Sequence, residues 1–353
     1  MKILLVLPLL GLGGGQRYVT IMANYWTEIG HDVTIISLRE TETFYSISDK
    51  VTVIKLNYDY SRTLGKVYSG FITMLKLRNK AKQIQPDFVL SILSTTNILT
   101  ILATSFLGIK VFVRDAMSPF RKRTKTDKFL RRVLYKKATG VITMTRTAKE
   151  IVVKETGVKS IKIIHNPVKE ILINEKIKKE KIILNVGRLH QAKGQRYLLE
   201  VCARLNEPEW KFVILGEGPL RRELEKRIVE LGIENQVVLP GAIKDIDEWL
   251  SKASIFAFPS ITEGWGNSLS EAMTAGLPCV SFDCEVGPRD MINDKINGYL
   301  VPVGNVEFFT SRIKTLINDL SIRNKISLEA KKTSDKYKIE NISKEILDFC
   351  TID

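Results

Sequence analysis

The chain has 353 residues, of which 44% are hydrophobic, 26% charged and 8% aromatic. This length and composition exclude long disordered stretches and exceed one ordinary domain, so we expect two soluble globular domains of roughly 150 to 200 residues each. The 54 basic and 39 acidic side chains give a formal net charge of +15. That excess fits nucleic acid, an anionic membrane surface or small phosphorylated ligands as partners, or simply a solvated basic surface.

The N-terminal segment, residues 2–8, reads as a buried first strand. A signal peptide is a poorer explanation, because the apolar run is short, carries one Lys, lacks a small-residue cleavage site and leads directly into Gly-rich sequence. That Gly-rich sequence opens an amphipathic helix, which Gly30 ends, and a basic helix is predicted at 64–85 before Pro86. Further strands of this half are predicted at 32–37, 51–56, 87–92, 109–114 and 140–145.

These strands are nearly continuous Val, Ile and Leu runs, which is typical of a parallel sheet covered on both faces. The apolar stretch 97–107 is about half as long as a membrane span, so no transmembrane helix is predicted.

A second alternation of strands and helices follows residues 165–168. The Lys- and Glu-rich stretch 169–181 reads as a linker or a short exposed helix. The sequence therefore predicts two doubly wound, Rossmann-like α/β domains that face a central cleft, with ligands at the carboxyl ends of the strands. The strands of the second domain are predicted at 181–187, 211–216, 237–241, 254–260, 278–283 and 298–302.

The four cysteines are Cys202, Cys279, Cys284 and Cys350. They form no CxxC pair and no cluster with histidine, which argues against a zinc site and against a disulfide framework. A reducing, cytoplasmic location is the consistent expectation.

Glycine is concentrated after the first strand, at Gly11, Gly13, Gly14 and Gly15. Glycines at a helix N-terminus let a phosphate or a sugar approach the backbone N–H groups. A dinucleotide fingerprint is incomplete here, because Gln16 stands where the third glycine belongs. A turn that needs glycine only for its backbone geometry remains an equal alternative.

A second motif, Gly187 to Gly194, follows the first strand of the second half. It places Arg188 and Lys193 at the carboxyl end of a strand, where a ligand would lie. Arg and Lys together suit a diphosphate leaving group, whose charge grows as the bond to it breaks. The alternative is a pair of solvated surface cations.

The segment 216–219 (GEGP) lies between the next strand and helix. It either borders a bound nucleotide or forms a plain tight turn.

The most specific motif spans residues 259–272 (PSITEGWGNSLSEA). Glu263 falls in a Gly-rich loop, and Glu271 falls about one turn into a helix predicted to start near Asn267. Carboxylates accept hydrogen bonds from sugar hydroxyls, so one suits a hexose and the other a ribose. Two alternatives are a helix-dipole role for Glu271 and a pair of glycosidase carboxylates, but a glycosidase would lack a use for the phosphate-suited cations.

These motifs together resemble glycosyltransferase family 4. The resemblance covers nearly the whole chain and is most specific in residues 182–304. It implies a retaining, hexosyl-type glycosyltransferase of the GT-B fold in bacterial surface polysaccharide or glycan assembly. The matching segments are GGGQR, GRLHQAKG, GEGP, FPSITEGWGNSLSEAMTAGLPCV and GYLVP.

The resemblance also implies the domain roles. Residues 1–168 would form the acceptor-side domain, and residues 169–335 the nucleotide-sugar-binding domain. Residues 336–353 would form a C-terminal helix that returns to the first domain. The donor would be a nucleotide-sugar, with UDP as its nucleotide, and the acceptor a saccharide, free or lipid-linked.

Family resemblance further implies a catalytic set of Arg188 and Lys193, on the donor diphosphate, and Glu263, beside the transferred sugar. Glu271 would bind the ribose, and Glu217 and Ile243 would lie near the nucleobase. The backbone N–H groups of Asn267, Ser268 and Leu269 would reach phosphate or sugar. The complete set of implied donor-binding residues is Gly14, Gly15, Gly187, Glu217, Ile243, Gly266, Asn267, Ser268, Leu269 and Glu271.

Many relatives carry a histidine near the acceptor, after the fifth strand of the first domain. This chain instead has Arg114, Asp115 and Ser118 in that stretch. These three residues are the candidates for acceptor contact, since none of the three histidines of the chain falls there.

Asp245 and Asp247 could be read as a metal-binding DxD motif. Their position before a helix favours helix-start roles, and Arg188 with Lys193 already supplies the charge that a metal would bring. We therefore expect neither a metal nor another cofactor.

The segment 121–137 holds nine Lys and Arg and one acid, Asp127. Together with the helix at 64–82 it is a candidate for docking on anionic lipid at the inner face of the cytoplasmic membrane, and a solvated face with core residues is the alternative. The apolar members of this segment are Phe129, Leu130, Val133, Leu134 and Tyr135.

Two other classes of protein compete with a transferase. A nucleotide-sugar epimerase, or another GT-B carbohydrate enzyme, could share the fold and the phosphate-binding residues. A non-catalytic nucleic-acid-binding protein would explain the charge, but no recognised binding motif is present, so nucleic acid is not an expected partner.

Overall fold

The computed structural model describes residues 1–11, 13–57 and 63–351, with residues 63–67 described by their backbone alone. Two compact units divide the chain. The first comprises Met1–Pro167 with Ile339–Asp353, and the second comprises Val168–Lys338. The sequence placed these boundaries after residues 168 and 335.

The first unit is built on a parallel sheet of seven strands in the order β3-β2-β1-β4-β5-β6-β7. The strands are β1 Lys2–Leu7, β2 Asp32–Ser37, β3 Thr52–Lys55, β4 Phe88–Ile92, β5 Lys110–Asp115, β6 Gly140–Thr143 and β7 Ile161–Ile163. The connecting helices are α1 Gly14–Glu28, α2 Thr63–Ile84, α3 Ser94–Thr104, α4 Lys125–Leu134 and α5 Arg146–Thr156.

The second unit repeats this plan with six parallel strands in the order β10-β9-β8-β11-β12-β13. Its strands are β8 Ile182–Val186, β9 Lys211–Leu215, β10 Val237–Gly241, β11 Ile255–Phe258, β12 Cys279–Phe282 and β13 Tyr299–Val301. Its helices are α6 Gln195–Leu205, α7 Arg221–Leu231, α8 Asp247–Lys252, α9 Asn267–Thr274, α10 Pro288–Met291, α11 Val306–Asn318 and α12 Leu320–Ser334.

The central strand β1 shows why the apolar runs lack alternation. Ile3 and Leu5 face a cluster that includes α1, whereas Leu4 and Val6 face a cluster on the opposite side that includes α2. All four side chains are 0% exposed. Because helices cover both faces of the sheet, every residue of the strand must be apolar.

In both sheets the strand order reverses beside the first strand, between β1 and β4 in the first unit and between β8 and β11 in the second. Doubly wound sheets bind ligands beyond the carboxyl ends of the strands at such a reversal point. Each unit therefore has one expected ligand position of its own.

The last helix, α13 Ile339–Thr351, belongs to the first unit. Trp26 of α1 donates a hydrogen bond from Nε1 to Ser343 Oγ at 2.8 Å. A Cβ atom on Gly140 would lie 2.7 Å from the ring of Phe349, so a glycine in β6 allows this close packing. The final two residues of the predicted returning helix lie outside the described range.

The structure adds one strand that the sequence did not predict. The short strand β7 was missed because it has only three residues and one of them is Lys162. Of the two alternatives for the stretch 169–181, the linker agrees with the structure, since no helix forms there. The stretch is held along α8 instead, where Asn174 N–H donates to Ser251 Oγ at 3.1 Å and Lys179 Nζ donates to the Leu250 carbonyl at 3.0 Å.

In the part of the chain that the structure describes, no helix combines the length and the apolar character needed to cross a membrane.

Candidate active site

The motifs around Arg188 and Glu263 meet at the reversal point of the second sheet. Gly187 directly follows β8, and Pro259 directly follows β11. Ser268, in the first turn of α9, donates a hydrogen bond from Oγ to the Val186 carbonyl at 2.8 Å. This bond fixes the start of α9 beside the end of β8.

Gly194 joins the two motifs by close backbone packing. Its φ of +64° is left-handed, and a Cβ atom there would lie 1.9 Å from the Pro259 carbonyl oxygen. Nearby, the N–H of Ile261 donates to the Ala192 carbonyl at 2.8 Å. Only glycine fits this contact, so the sequence GRLHQAKG ends in glycine for a steric reason.

Two of the predicted catalytic side chains touch each other. Lys193 Nζ lies 2.6 Å from Glu263 Oε1, and their side chains are 29% and 9% exposed. An ammonium group has three donors, so one bond to Glu263 leaves two for another anion. The pair orients the Lys193 charge at the carboxyl edge of the sheet.

Arg188 lies in the same loop with an exposed side chain. Within the described residues this side chain has no hydrogen bond or ion pair. The backbone below it is fixed, because Gln195 Nε2 donates to the Arg188 carbonyl at 3.1 Å. The backbone that carries the guanidinium is thus fixed, and the described residues give the guanidinium no counterion.

Sequence reasoning missed Gln195. Its side chain is 1% exposed, and a Cβ atom on Gly187 would lie 3.8 Å from Gln195 Nε2. Buried polar side chains need partners, so Gln195 contributes by holding the Arg188 loop. The sequence feature that could have indicated this role is a polar residue at the first helical position after a loop that ends in glycine.

The GEGP segment packs against this loop more tightly than a plain turn requires. A Cβ atom on Gly216 would lie 2.0 Å from the Gly187 carbonyl oxygen, and one on Gly218 would lie 2.3 Å from the Leu189 carbonyl oxygen. Both glycines are therefore needed where the segment meets the Arg188 loop.

The residues predicted to lie near the nucleobase occupy the next two strand ends. Glu217 follows β9, and its Oε1 lies 3.3 Å from Arg221 Nη2. Gly241 ends β10, and a Cβ atom there would lie 3.1 Å from Glu217 Oε1. Ile243 follows with 38% of its side chain exposed, which leaves an apolar surface beside a carboxylate.

Helix α9 begins after Gly266, whose φ of +106° again requires glycine. The N–H of Leu269 donates to the Gly266 carbonyl at 3.0 Å. Of the three backbone donors predicted for a ligand, that of Leu269 is thus already used inside the helix. Asn267 and Ser268 are the first two residues of α9, and the N–H groups at such positions have no intrahelical acceptor.

Glu271 lies one turn into α9, as its position in the sequence predicts. The residue is 3% exposed. A ligand hydroxyl that reached this carboxylate would be almost fully enclosed.

In the first unit, Gly14 and Gly15 are the first two residues of α1. A Cβ atom on Gly15 would lie 3.7 Å from Ile92, an ordinary contact distance. Steric demand therefore does not explain the glycine at this position. Leu12 of the same motif lies outside the described residues.

The structure gives Arg114 a role other than acceptor contact. It is 0% exposed, and burial lowers the pKa of its guanidinium. Its Nη2 donates to the Ile164 carbonyl at 3.0 Å and to Asn166 Oδ1 at 2.8 Å, and the guanidinium lies 4.2 Å from the centre of the Tyr18 ring. Arg114 fastens residues 164–166 to the sheet.

Asp115 is likewise unsuited to contact an acceptor. It is 3% exposed, and its Oδ2 lies 2.6 Å from Arg131 Nη2. Arg123 adds a second, longer ion pair at 3.8 Å. Both residues end a central strand and point into the protein, so their contacts weigh against the predicted acceptor contact, which stays a prediction. Ser118, in the following loop, is half-buried and remains a candidate.

The two aspartates lie at the start of α8, although the residue at the N-cap position is Ile246. Asp247 is the first residue of α8, and its N–H donates to Asp245 Oδ1 at 3.1 Å. Asp247 Oδ1 also pairs with Lys169 Nζ at 2.8 Å.

The basic segment 121–137 divides between core and surface. Leu134 and Tyr135 are buried in a cluster with α3 and α5, and Leu130 packs against that cluster. Phe129 and Val133 remain 65% and 43% exposed on α4. The predicted apolar set is therefore mostly core, with two residues on the surface.

Two Rossmann-like units, with a cationic site at the reversal point of the second sheet, define the class as GT-B. Comparisons with known proteins agree. Residues 12–170 match the family model Glycosyltransferase Family 4, and residues 169–333 match Glycosyl transferases group 1. An uncharacterized glycosyltransferase of Haemophilus influenzae is 30% identical over 95% of this chain and 96% of its own length. The chain belongs to these two-domain glycosyltransferases.

Another relative is an alpha-1,4-N-acetyl-D-galactosaminyltransferase of Campylobacter jejuni. Its full name includes the compound GalNAc-alpha-(1->4)-GalNAc-alpha-(1->3)-diNAcBac-PP-undecaprenol. This relative is 29% identical over 98% of this chain and 97% of its own length. Among solved structures, Anabaena HepE in complex with UDP superimposes with a TM-score of 0.82 and 18% identity, over 99% of each chain. This last likeness concerns the fold.

Proposed function

We propose that this glycosyltransferase moves a hexose-type sugar from a UDP-sugar to a saccharide carried on a lipid diphosphate, with retention of configuration. The observation that carries the proposal is the unpaired Arg188 beside Lys193 at the reversal point of the second sheet. Two cations at such a position suit a nucleoside diphosphate, which is the leaving group of a nucleotide-sugar.

The reaction breaks the bond between the anomeric carbon and a β-phosphate oxygen. The acceptor hydroxyl oxygen forms its bond on the face that the phosphate leaves, and its proton passes to a phosphate oxygen. Arg188 and Lys193 stabilise the negative charge that develops on the diphosphate. The first N–H groups of α9 add donors at the same edge of the sheet.

The two carboxylates divide the rest of the donor between them. Glu263 keeps Lys193 in place and has lone pairs left for a hydroxyl of the transferred sugar. Glu271, buried within α9, accepts hydrogen bonds from the ribose. The exposed Ile243 covers the base.

The choice of UDP and of a lipid-borne acceptor is supported by the relatives. The Campylobacter transferase is named for a saccharide on PP-undecaprenol, and the Anabaena structure contains UDP. Metal independence follows from the cations Arg188 and Lys193, which take the place of a divalent ion at the diphosphate. Full activity in EDTA is expected, and activity that EDTA abolishes and magnesium restores would contradict it.

The first test is a calorimetric titration of the full chain with UDP, GDP and ADP in EDTA. We expect UDP to bind and Arg188→Ala to weaken this binding. Arg204→Ala is the matched control, because Arg204 is an exposed cation of the same unit near the end of α6. Equal UDP affinity in wild type and Arg188→Ala, or no UDP binding at all, would overturn the assignment.

A turnover assay separates binding from chemistry. With a donor that transfers, Arg188→Ala is expected to lower turnover on the order of a hundredfold or more, by analogy with the loss of an oxyanion donor. The anomeric configuration of the product, read by proton NMR, tests retention, and an inverted product would contradict the proposed attack.

We further propose that α4 touches an anionic bilayer. Phe129 and Val133 lie one helical turn apart and are exposed among cations, which suits insertion of an apolar edge between anionic headgroups. Flotation with phosphatidylglycerol vesicles at low salt should carry the wild type. Phe129→Ser/Val133→Ser should reduce flotation, whereas Val229→Ser, an equally exposed change in the second unit, should not.

A further inference from the structure

The first unit contains a cavity of about 380 Å³ at the carboxyl edge of its sheet. Residues that follow β1, β2, β4 and β5 line it, so it lies at the reversal point between β1 and β4. A doubly wound sheet binds ligands there, and the volume is within the range of small-molecule sites. Every lining residue belongs to the first unit, whereas the donor residues described above lie mainly in the second.

The lining of this cavity is strongly positive. Among the described residues, its charged members are Arg39, Arg121, Lys122 and Arg123, with Asp127 as the one acid. Arg123 forms ion pairs within the protein, since it lies 3.7 Å from Asp127 and 3.8 Å from Asp115. The described lining therefore carries four cations and one carboxylate that is already paired.

Asp127 is also held by hydrogen bonding. Ser94 Oγ donates to Asp127 Oδ1 at 2.9 Å, and Arg131 Nη1 lies 3.4 Å from the same Ser94 oxygen. The network beneath the cavity therefore fixes its wall and leaves the net charge of the lining positive.

Helix α3 opens into this cavity with its N-terminus. Ser94, Thr95 and Thr96, its first three residues, all line the cavity, and no side chain caps the helix. The first intrahelical bond is donated by Asn97 to the Leu93 carbonyl at 2.9 Å. The N–H groups before it have no intrahelical acceptor and favour an anion.

A buried hydroxyl at the same place lacks a partner. Thr96 is 1% exposed, and its Oγ1 makes no hydrogen bond to any residue that the structure describes. Buried polar atoms are almost always bonded. A ligand oxygen in the cavity would supply the missing partner.

The residue before α3 is strained. Leu93, which also lines the cavity, has a φ of +76°, although a branched side chain disfavours positive φ. Its N–H donates to the Arg114 carbonyl at 3.3 Å. Such strain is concentrated at ligand-binding positions, where the rest of the structure maintains it.

We infer that this cavity binds a phosphoryl group of the acceptor, a phosphate or diphosphate, through Arg39, Arg121, Lys122 and the N-terminus of α3. The inference rests on the proposed function and names the part of the acceptor that the first unit recognises. A neutral saccharide is a poorer occupant, because its hydroxyls would find one carboxylate that is already bonded. An oxyanion matches the cations, the helix N-terminus and the unpaired hydroxyl together.

The test is a titration with inorganic pyrophosphate of the full chain saturated with UDP, in EDTA. Saturating UDP occupies the donor site, so the remaining pyrophosphate binding reports the second site. Arg121→Gln/Lys122→Gln is expected to lower pyrophosphate affinity on the order of tenfold or more per lost contact. Arg132→Gln/Lys137→Gln removes the same charge from exposed positions nearby and is expected to change affinity little.

Three results would overturn the inference. They are failure of the UDP-saturated wild type to bind pyrophosphate, binding by the cavity variant as tight as that of wild type, and a loss of affinity in the control variant as large as that in the cavity variant. In each case UDP binding by the same samples reports the donor site separately, so a failure of the proposed function is recognised by loss of UDP binding. Unchanged thermal unfolding and UDP affinity of the cavity variant show that it is folded.

Geranyl diphosphate and inorganic phosphate distinguish the sources of the oxyanion. Tighter binding of geranyl diphosphate than of pyrophosphate, with the same dependence on Arg121 and Lys122, assigns a lipid-borne diphosphate. Equal binding of phosphate and pyrophosphate, again lost in the variant, assigns a monophosphate site. Binding of either probe that does not depend on these residues contradicts the inference.

Discussion

Replacing Asp115 with Asn separates a structural role from a role in acceptor contact. The carboxylate lies 2.6 Å from Arg131, and the two side chains are 3% and 1% exposed. Asp115→Asn keeps the shape of the side chain but removes its charge. Arg131 then keeps one nearby carboxylate, the partly exposed Glu155, whose Oε2 lies 3.6 Å from Arg131 Nη2. Its Nη1 also still lies 2.9 Å from Tyr135 Oη.

The expected cost is large because both partners are buried. Removing one member of a buried ion pair costs about 3–5 kcal/mol when the other charge is left uncompensated. Because Glu155 stays near Arg131, we expect the lower limit, about 3 kcal/mol. With a tenfold change for every 1.36 kcal/mol, that corresponds to a factor on the order of a hundred in the equilibrium constant for opening of the first unit. The surface pair Glu248–Lys252 supplies the contrast, because Glu248→Gln there should leave hydrogen exchange nearly unchanged.

Hydrogen exchange read by mass spectrometry suits a chain with two units, because it assigns opening to particular peptides. Peptides from β5 and α4 should exchange faster in Asp115→Asn by the factor given, while peptides of the second unit and UDP affinity should be unchanged. If those peptides exchange as in wild type and transfer to the acceptor is nevertheless lost, Asp115 contacts the acceptor and the structural assignment is wrong.

Two further substitutions and the four native cysteines provide additional tests of the structure. Gly194→Ala places a Cβ atom 1.9 Å from the Pro259 carbonyl oxygen, at a residue with a positive φ. The substitution should lower the free energy of unfolding by about 1–3 kcal/mol or more and remove most of the UDP affinity. A melting temperature and a UDP affinity equal to those of wild type would contradict this. The four cysteines are buried, and burial raises the pKa of Cys202 and Cys284 to about 12. A thiol reagent at pH 8 should therefore react slowly with the native protein, whereas in urea it should label all four thiols. Because these folded pKa values exceed the unfolded value of about 9, the thiols should also make the free energy of unfolding fall between pH 9 and 12; a flat profile in urea denaturation would count against that. Trp26→Phe removes the bond to Ser343, and should cost about 1–3 kcal/mol and speed exchange in α13, whereas protection equal to wild type would show that the helix is held by other contacts.

The second unit was more predictable from sequence than the first, and the reason is the length of its motifs. Gly194, Gly216 and Gly218 each lie where a Cβ atom would strike a carbonyl oxygen. The loops at this site therefore require glycine at fixed positions, and these glycines can be recognised in the sequence. The strands were predictable for a similar reason, because burial on both faces demands continuous apolar runs.

The acceptor side of the molecule could not be read in the same way. Arg114 and Asp115 were singled out because charged residues at a strand end usually meet a ligand, yet their side chains are buried against 164–166 and Arg131. Which way a strand-end residue faces depends on the register of the sheet and on the helices that cover it. The cavity residues come from four separate strand ends, and their convergence becomes visible only when the sheet order is known.

The basic segment 121–137 shows how folding divides a charge run into parts with different uses. Two of its nine cations are buried in ion pairs, and two line the cavity beside α3 without a carboxylate of their own. The other five lie on α4 and its extension, around Phe129 and Val133, and these five and the two cavity cations are all exposed. Salt screens all seven within a Debye length of about 10 Å at 0.1 M and scarcely affects the buried pairs. The cavity should nevertheless keep more of its affinity, because the N–H groups at the start of α3 bind an oxyanion by short-range hydrogen bonds. Vesicle flotation that disappears at moderate salt while pyrophosphate binding persists would follow directly from this division, and loss of both at the same salt concentration would mean that the segment acts as a single surface.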